Sequence, residues 1–146
     1  MKLFFDRPQR TSVMVAEPIR RRRLLIAEAD DLERGMREAL LRIMGFDPEG
    51  VQTANAAILL ASASAFDLLI AHQDPPRMDA CSIIRRLRGF GCKIPILLMS
   101  SSSEARKLPH DITALVHSVL PAHASGALLI SGIENALRSS PPLPTS

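Results

Sequence analysis

Short apolar runs punctuate the chain, and helical periods fill the gaps between them. Leu24-Leu25-Ile26-Ala27 is continuous rather than alternating, the pattern of a strand buried on both faces. Leu68-Leu69-Ile70-Ala71 and Ile94-Pro95-Ile96-Leu97-Leu98-Met99 repeat it. Val51 to Ala54 is a weaker strand, and Ile112 to Leu120, bounded by Pro121, supplies a fifth. After the first run, Asp30 or Asp31 is placed to cap a helix. Leu32, Met36, Leu40 and Ile43 follow at helical spacing, and Gly45 closes the helix. Asn55 is placed to cap the next helix, with Ile58, Leu59 and Ser62 on its inner face. Ile83, Ile84 and Leu87 mark a third. Residues 104–111 allow only a short fourth helix, because Pro109 limits it. Ser125 is placed to cap a last helix with Leu129, Ile130, Ile133 and Leu137 inward.

Five strand–helix units in alternation predict an α/β fold: three layers, (βα)5, with a doubly wound parallel five-stranded sheet and right-handed crossovers. Functional sites in such sheets gather where strands end at their carboxyl side. Here those positions are Glu28 to Asp31, His72 to Asp74, Ser100 to Ser102, and Leu120-Pro121.

Length and composition narrow this further. The chain has 146 residues, enough for one domain. Hydrophobic residues make up 47%, so a core can form. Aromatics are 3%, without Trp or Tyr, which argues against a stacking platform for single-stranded nucleic acid. No apolar run approaches the ~18 residues of a membrane span. Nor is there a signal-peptide core, so a cytoplasmic location is expected. Cys81 and Cys92 are too few for a disulfide scaffold or a Cys-rich zinc site and read as ordinary thiols. Residues 1–23 hold seven basic and two acidic groups, whereas the rest holds 11 basic and 13 acidic. The positive charge therefore sits in a leader. Residues 1–21 read as a flexible basic arm, 22–138 as the folded domain, and 139–146 as a disordered Pro/Ser tail. Arg20 to Arg23 read as a solvated strand start, with nucleic-acid binding as the alternative. Arg85, Arg86 and Arg88 read as an exposed helix face.

The segment Phe66-Asp67-Leu68-Leu69-Ile70-Ala71-His72-Gln73-Asp74-Pro75-Pro76-Arg77-Met78-Asp79-Ala80 resembles the third strand and following loop of the receiver domain of bacterial response regulators, the flavodoxin-like phosphoacceptor of two-component signalling. Asp67, Pro76, Met78 and Asp79 match that family's frame. Ile83 to Arg88 resembles its next helix, and Ile94 to Ser100 its fourth strand. The resemblance spans roughly residues 22–138.

The resemblance also implies where the chain departs from the family. The two acidic residues after the first strand fall on Glu28 and Ala29, the phosphoacceptor aspartate on His72, and the lysine before a proline on Leu120. The loop glycine falls on Ala80, the aromatic switch position on His117, and the Ser/Thr after the fourth strand is kept as Ser100. Phosphoryl transfer to a carboxylate needs Mg²⁺ and a fixed cation to neutralise the equatorial oxygens. On this correspondence only Glu28 survives of three carboxylates, imidazole is a poor Mg²⁺ ligand, and Leu120 carries no charge. The expectation is a vestigial phosphorylation pocket of Glu28, Ala29, His72, Ser100 and Leu120, with Ser100 and His117 as switch-like positions, no catalytic residue, no metal and no cofactor. His72 then hydrogen-bonds Glu28 or Ser100. Asp30 and Asp31 serve as caps and Asp74 as a loop residue, and the serine run Ser100 to Ser103 as linker.

The implied function is a phosphorylation-independent pseudo-receiver that is not an enzyme. It would bind a protein partner, namely a histidine kinase, another regulator or a second copy, through the surface of residues 104–137. One alternative is a phosphorelay receiver that accepts phosphate on His72 or Asp74, with Asp30 and Asp31 holding metal. The second is nucleic-acid binding through Arg20 to Arg23.

Overall fold

A computed structural model describes residues 20–139 of the chain. Most of the expected leader and nearly all of the expected tail lie outside these residues. The elements run β1 (Arg23–Ala27), α1 (Asp31–Ile43), β2 (Asp47–Val51), α2 (Ala54–Ala63), β3 (Leu68–Gln73), α3 (Ala80–Gly89), β4 (Ile96–Ser100), α4 (Ser102–Arg106), α5 (His110–Leu115), β5 (Ser118–Pro121) and α6 (Gly126–Ser139). The five strands form one parallel sheet in the order β2-β1-β3-β4-β5. This is the expected doubly wound architecture.

Side chains alternate across the sheet and build two cores. Leu25, Ala27, Leu69, Ala71, Ile96 and Leu98 face α2, α3 and α5. Leu24, Ile26, Leu68, Ile70, Leu97 and Met99 face α1 and α6, where Leu41, Leu129, Ile133 and Ala136 meet them. Because both faces are covered, the strands read as unbroken apolar runs.

Caps set the helix starts. Asp30 accepts the Glu33 N–H at 2.9 Å and begins α1. Gly45, at φ +95°, follows its end, a backbone conformation that favours glycine. Asp79 accepts from Ser82 N–H to begin α3, and Ser125 accepts from Leu128 N–H to begin α6.

Several expectations are corrected. The Leu32, Met36, Leu40 and Ile43 pattern does mark a helix, but Leu32, Met36 and Ile43 are 71%, 59% and 82% exposed. Arg37 and Leu41 form the buried face instead, because Arg37 reaches a buried carboxylate described below. The second strand is Asp47–Val51, earlier than Val51 to Ala54, because Thr53 caps α2 through the Ala56 N–H at 3.1 Å. Asn55 therefore lies inside the helix. On α2 it is Ala57, Ile58 and Ala61 that are buried, since small residues let the helix lie close to its neighbours. Leu59 is 67% exposed, and Ser62 turns back to bond the Ile58 carbonyl at 2.7 Å.

The segment 104–115 makes two short helices rather than one, with Pro109 standing at the start of the second. Ile112 to Val116 is thus not strand. Ile112 is fully buried within helix α5, whose Asp111 pairs with Arg85 of α3 at 3.0 Å. Arg88 is also not part of an exposed face. Its guanidinium donates to the carbonyls of Cys92, Ile94 and Leu115 at 2.9, 2.7 and 2.8 Å, filling the gap between α3 and α5.

Candidate functional site

Alternation along the strands decides which side chains meet at the carboxyl edge of the sheet. Glu28 continues the parity of Leu24 and Ile26, and so emerges on the α1/α6 side. Strand β3 runs on through Gln73, so His72 and Asp74 keep the parity of Leu68 and Ile70 and emerge on that same side. Gln73 points the other way, and its Oε1 accepts from the Ala80 N–H at 2.7 Å and the Cys81 N–H at 3.3 Å. Together Glu28, Asp30, Glu33, Arg37, His72, Asp74, Arg77, Ser101, Ala122 and His123 enclose a cavity of about 340 Å³.

Glu28 is the anchor of this cavity and is fully buried. Its Oε1 accepts from Arg37 Nη1, and His72 Nδ1 lies 2.9 Å from the same oxygen. Facing a carboxylate, that ring nitrogen is the donor. Oε2 accepts from the Asp30 N–H at 3.1 Å. Burial alone would raise the Glu28 carboxyl. The hydrogen bonds from His72 and Asp30, with the charges of His72 and Arg37, outweigh it and bring the pKa from 4.5 down to about 2. Arg37 is itself buried on α1. Its Nη2 donates to the Ala122 carbonyl at 3.1 Å and lies 3.6 Å from Glu33. One side chain thus ties the end of β1 to the segment after β5.

At the rim, Arg77 pairs with Asp74 at 2.6 Å and lies 3.8 Å from Asp30. The Arg34 guanidinium donates to the Glu28 carbonyl at 2.9 Å and to Asp31 at 2.7 Å. Asp31 is therefore a surface ion-pair partner, and the cap is Asp30.

Of the expected pocket residues, the structure brings Glu28 and His72 together. Ala29 has the opposite parity and packs with the other core. Ser100 and Leu120 line a neighbouring hollow with Ser102 and Ala105, and the Ser100 hydroxyl bonds the Ser101 carbonyl at 3.1 Å. It is Ser101 that reaches the Glu28 cavity. Leu120 packs beneath, against Gly132 of α6. His117 lies one residue before β5, its N–H on the carbonyl of Ile96, the first residue of β4, whereas Ser100 is the last. The structure does not bring these two switch-like positions together.

Asp74 was expected as a loop residue, with phosphate acceptance as the alternative; it stands in the cavity with Glu28 and His72. Arg37, Glu33 and His123 carry no motif. A charged residue at the Leu41 period of α1 was the available signal for Arg37. Arg20 pairs with Asp67 at 3.5 Å, while Arg23 stacks on Phe66 at 4.3 Å and reaches Asp47 and Glu49.

The residues do not fit Mg²⁺. That ion wants an octahedron of hard oxygens, whereas an imidazole nitrogen stands against the Glu28 carboxylate in this cavity.

No protein-family profile matches the chain. It is similar to the response regulator MprA of Mycobacterium leprae, 27% identical over 117 residues, which cover 78% of this chain and 51% of that protein. The chain spans about half the length of the curated MprA relatives it matches. Among solved structures, a sensor protein from Polaromonas has a TM-score of 0.73 at 24% identity, covering 82% of this chain and 98% of that one. A response regulator receiver domain (CheY-like) from Methylobacillus flagellatus has a TM-score of 0.71 at 17% identity, covering 80% and 99%. With the strand order above, these likenesses show the fold: the five-stranded parallel α/β fold that response-regulator receiver, or CheY-like, domains adopt. No helix among the described residues is long and apolar enough to cross a membrane.

Proposed function

We propose that this receiver domain works without phosphorylation, as a protein-binding module in a two-component signalling pathway. The observation that carries the reading is at His72. The position the family uses for its acceptor carboxylate holds an imidazole directed at Glu28, and Arg37 already neutralises that carboxylate. An aspartyl phosphate could not form there, and Leu120 offers no ammonium to hold one. Binding to a protein is supported by the apolar side chains that α1 leaves in water, Leu32, Met36 and Ile43. The α4–β5–α6 surface, where the family usually signals, is here rebuilt around two short helices. The partner class is a histidine kinase, another regulator or a second copy.

The test is direct. The full chain is incubated with a small-molecule phosphodonor and Mg²⁺, and its intact mass is followed over time. An unchanged mass is the expected result. A gain of one phosphoryl group on His72 or Asp74 would overturn the reading and make the domain a phosphorelay acceptor.

A further inference from the structure

The misfit with Mg²⁺ points to a different ion. We propose that Glu28, His72 and Asp74 form a binding site for a divalent late first-row transition metal of the zinc class. One ligand atom from each of the three lies within 4.8 Å of the other two. Glu28 Oε1 and His72 Nδ1 are already 2.9 Å apart. Two ligands bonded to one tetrahedral zinc at about 2.0–2.1 Å stand roughly 3.3 Å from each other, so this pair must open by only a few tenths of an ångström. Asp74 has further to move. What restrains it is a pair with Arg77, which is 55% exposed, and such surface pairs contribute at most about 1 kcal/mol.

Charge and ligand type agree with the geometry. The cavity is lined by four carboxylates, Glu28, Asp30, Glu33 and Asp74, against two guanidiniums, Arg37 and Arg77. These six side chains sum to −2, which a divalent cation balances. Imidazole with carboxylate suits zinc, copper, nickel and iron, and disfavours magnesium. His123 lines the same cavity and stands with water as the candidate for a fourth ligand. The supporting shell is built as well. Arg37 and the Asp30 N–H hold the Glu28 carboxylate in place, the kind of outer contact that orients metal-bound carboxylates. The site is independent of the functional reading above, because a protein-binding module is possible with or without the ion.

The experiment titrates the full chain, first stripped with chelator, with Co²⁺ and follows its visible d–d absorption. The expected result is an intense four-coordinate spectrum that saturates at one equivalent, is abolished by Zn²⁺ and is unaffected by excess Mg²⁺. His72→Ala and Asp74→Asn should each weaken Co²⁺ binding by about 10-fold or more. His110→Ala, at an exposed position on α5, should leave it unchanged. Circular dichroism establishes that each variant is folded, and Asp74→Asn, on the cavity rim, keeps the test decisive should His72→Ala unfold. Failure to saturate at one equivalent, equal competition by Mg²⁺, or undiminished affinity in both ligand variants would overturn the proposal. None of these outcomes bears on the phosphodonor test.

Discussion

Replacing Arg37 with leucine tests the anchor of the cavity. The substitution keeps an apolar stem on α1 but removes the guanidinium that Glu28 and the Ala122 carbonyl share. Removing one partner of a buried ion pair typically costs about 3–5 kcal/mol, because the other charge stays buried without compensation. Here the Glu28 carboxylate keeps two donors, His72 Nδ1 and the Asp30 N–H. Losing the donor to Ala122 adds roughly 1 kcal/mol. The net expectation is a loss of about 2–4 kcal/mol, a large share of the 5–15 kcal/mol typical of a domain. Urea unfolding at neutral pH, followed by circular dichroism, measures it through the midpoint at constant slope. A second variant, Glu28→Gln with Arg37→Leu, removes the buried charge itself and should recover at least about half the loss. A loss below about 1 kcal/mol in the single variant, or strict additivity in the double, would refute the claim that the two side chains depend on each other.

Three further outcomes are expected. Leu41→Ala should destabilise by about 2–5 kcal/mol, whereas Ile43→Ser, two residues away but 82% exposed, should change stability by less than about 0.5 kcal/mol in the same unfolding assay. Arg88→Lys should cost about 1–3 kcal/mol, since a single ammonium cannot serve the three carbonyls of Cys92, Ile94 and Leu115, while Arg86→Lys on the exposed side should be neutral by thermal melting. The hydrogen bond from Arg85 holds the Asp111 carboxyl below its ordinary 3.8, so the contact supports the fold above that pH and is lost as the pH falls through the lowered value. NMR titration of Asp111 should show its midpoint rise toward the ordinary value in Arg85→Ala.

The alternation of continuous apolar runs with helical periods was enough to define the α/β class, because strands covered on both faces cannot hide their composition. Glu28 and His72 were also legible, since they follow such runs directly. What the pattern could not carry was direction. The Leu32–Ile43 stripe has the right period, but a period does not say which side of a helix meets the sheet, and Arg37 settled that by reaching Glu28. Asp74 was named only as an alternative acceptor, because its place beside His72 depends on β3 continuing two residues past its apolar run. The edge strand Asp47–Val51 has one charged flank on each side of a proline and no apolar run, so nothing local distinguishes it from a loop. Ile112 looked like strand because a single buried isoleucine carries no period of its own.

That same edge strand has a consequence for how molecules of this kind avoid one another. The Asp47 N–H bonds to Arg22 and the Val51 carbonyl receives Glu28, so the backbone of Pro48, by alternation, faces outward. A proline there has no donor to give, and the carboxylates of Asp47 and Glu49 flank it in solvent. Fibril-like stacking, in which a neighbour's backbone would zip onto this border of the sheet, is therefore hindered by the donor missing at Pro48 and by the charged side chains beside it.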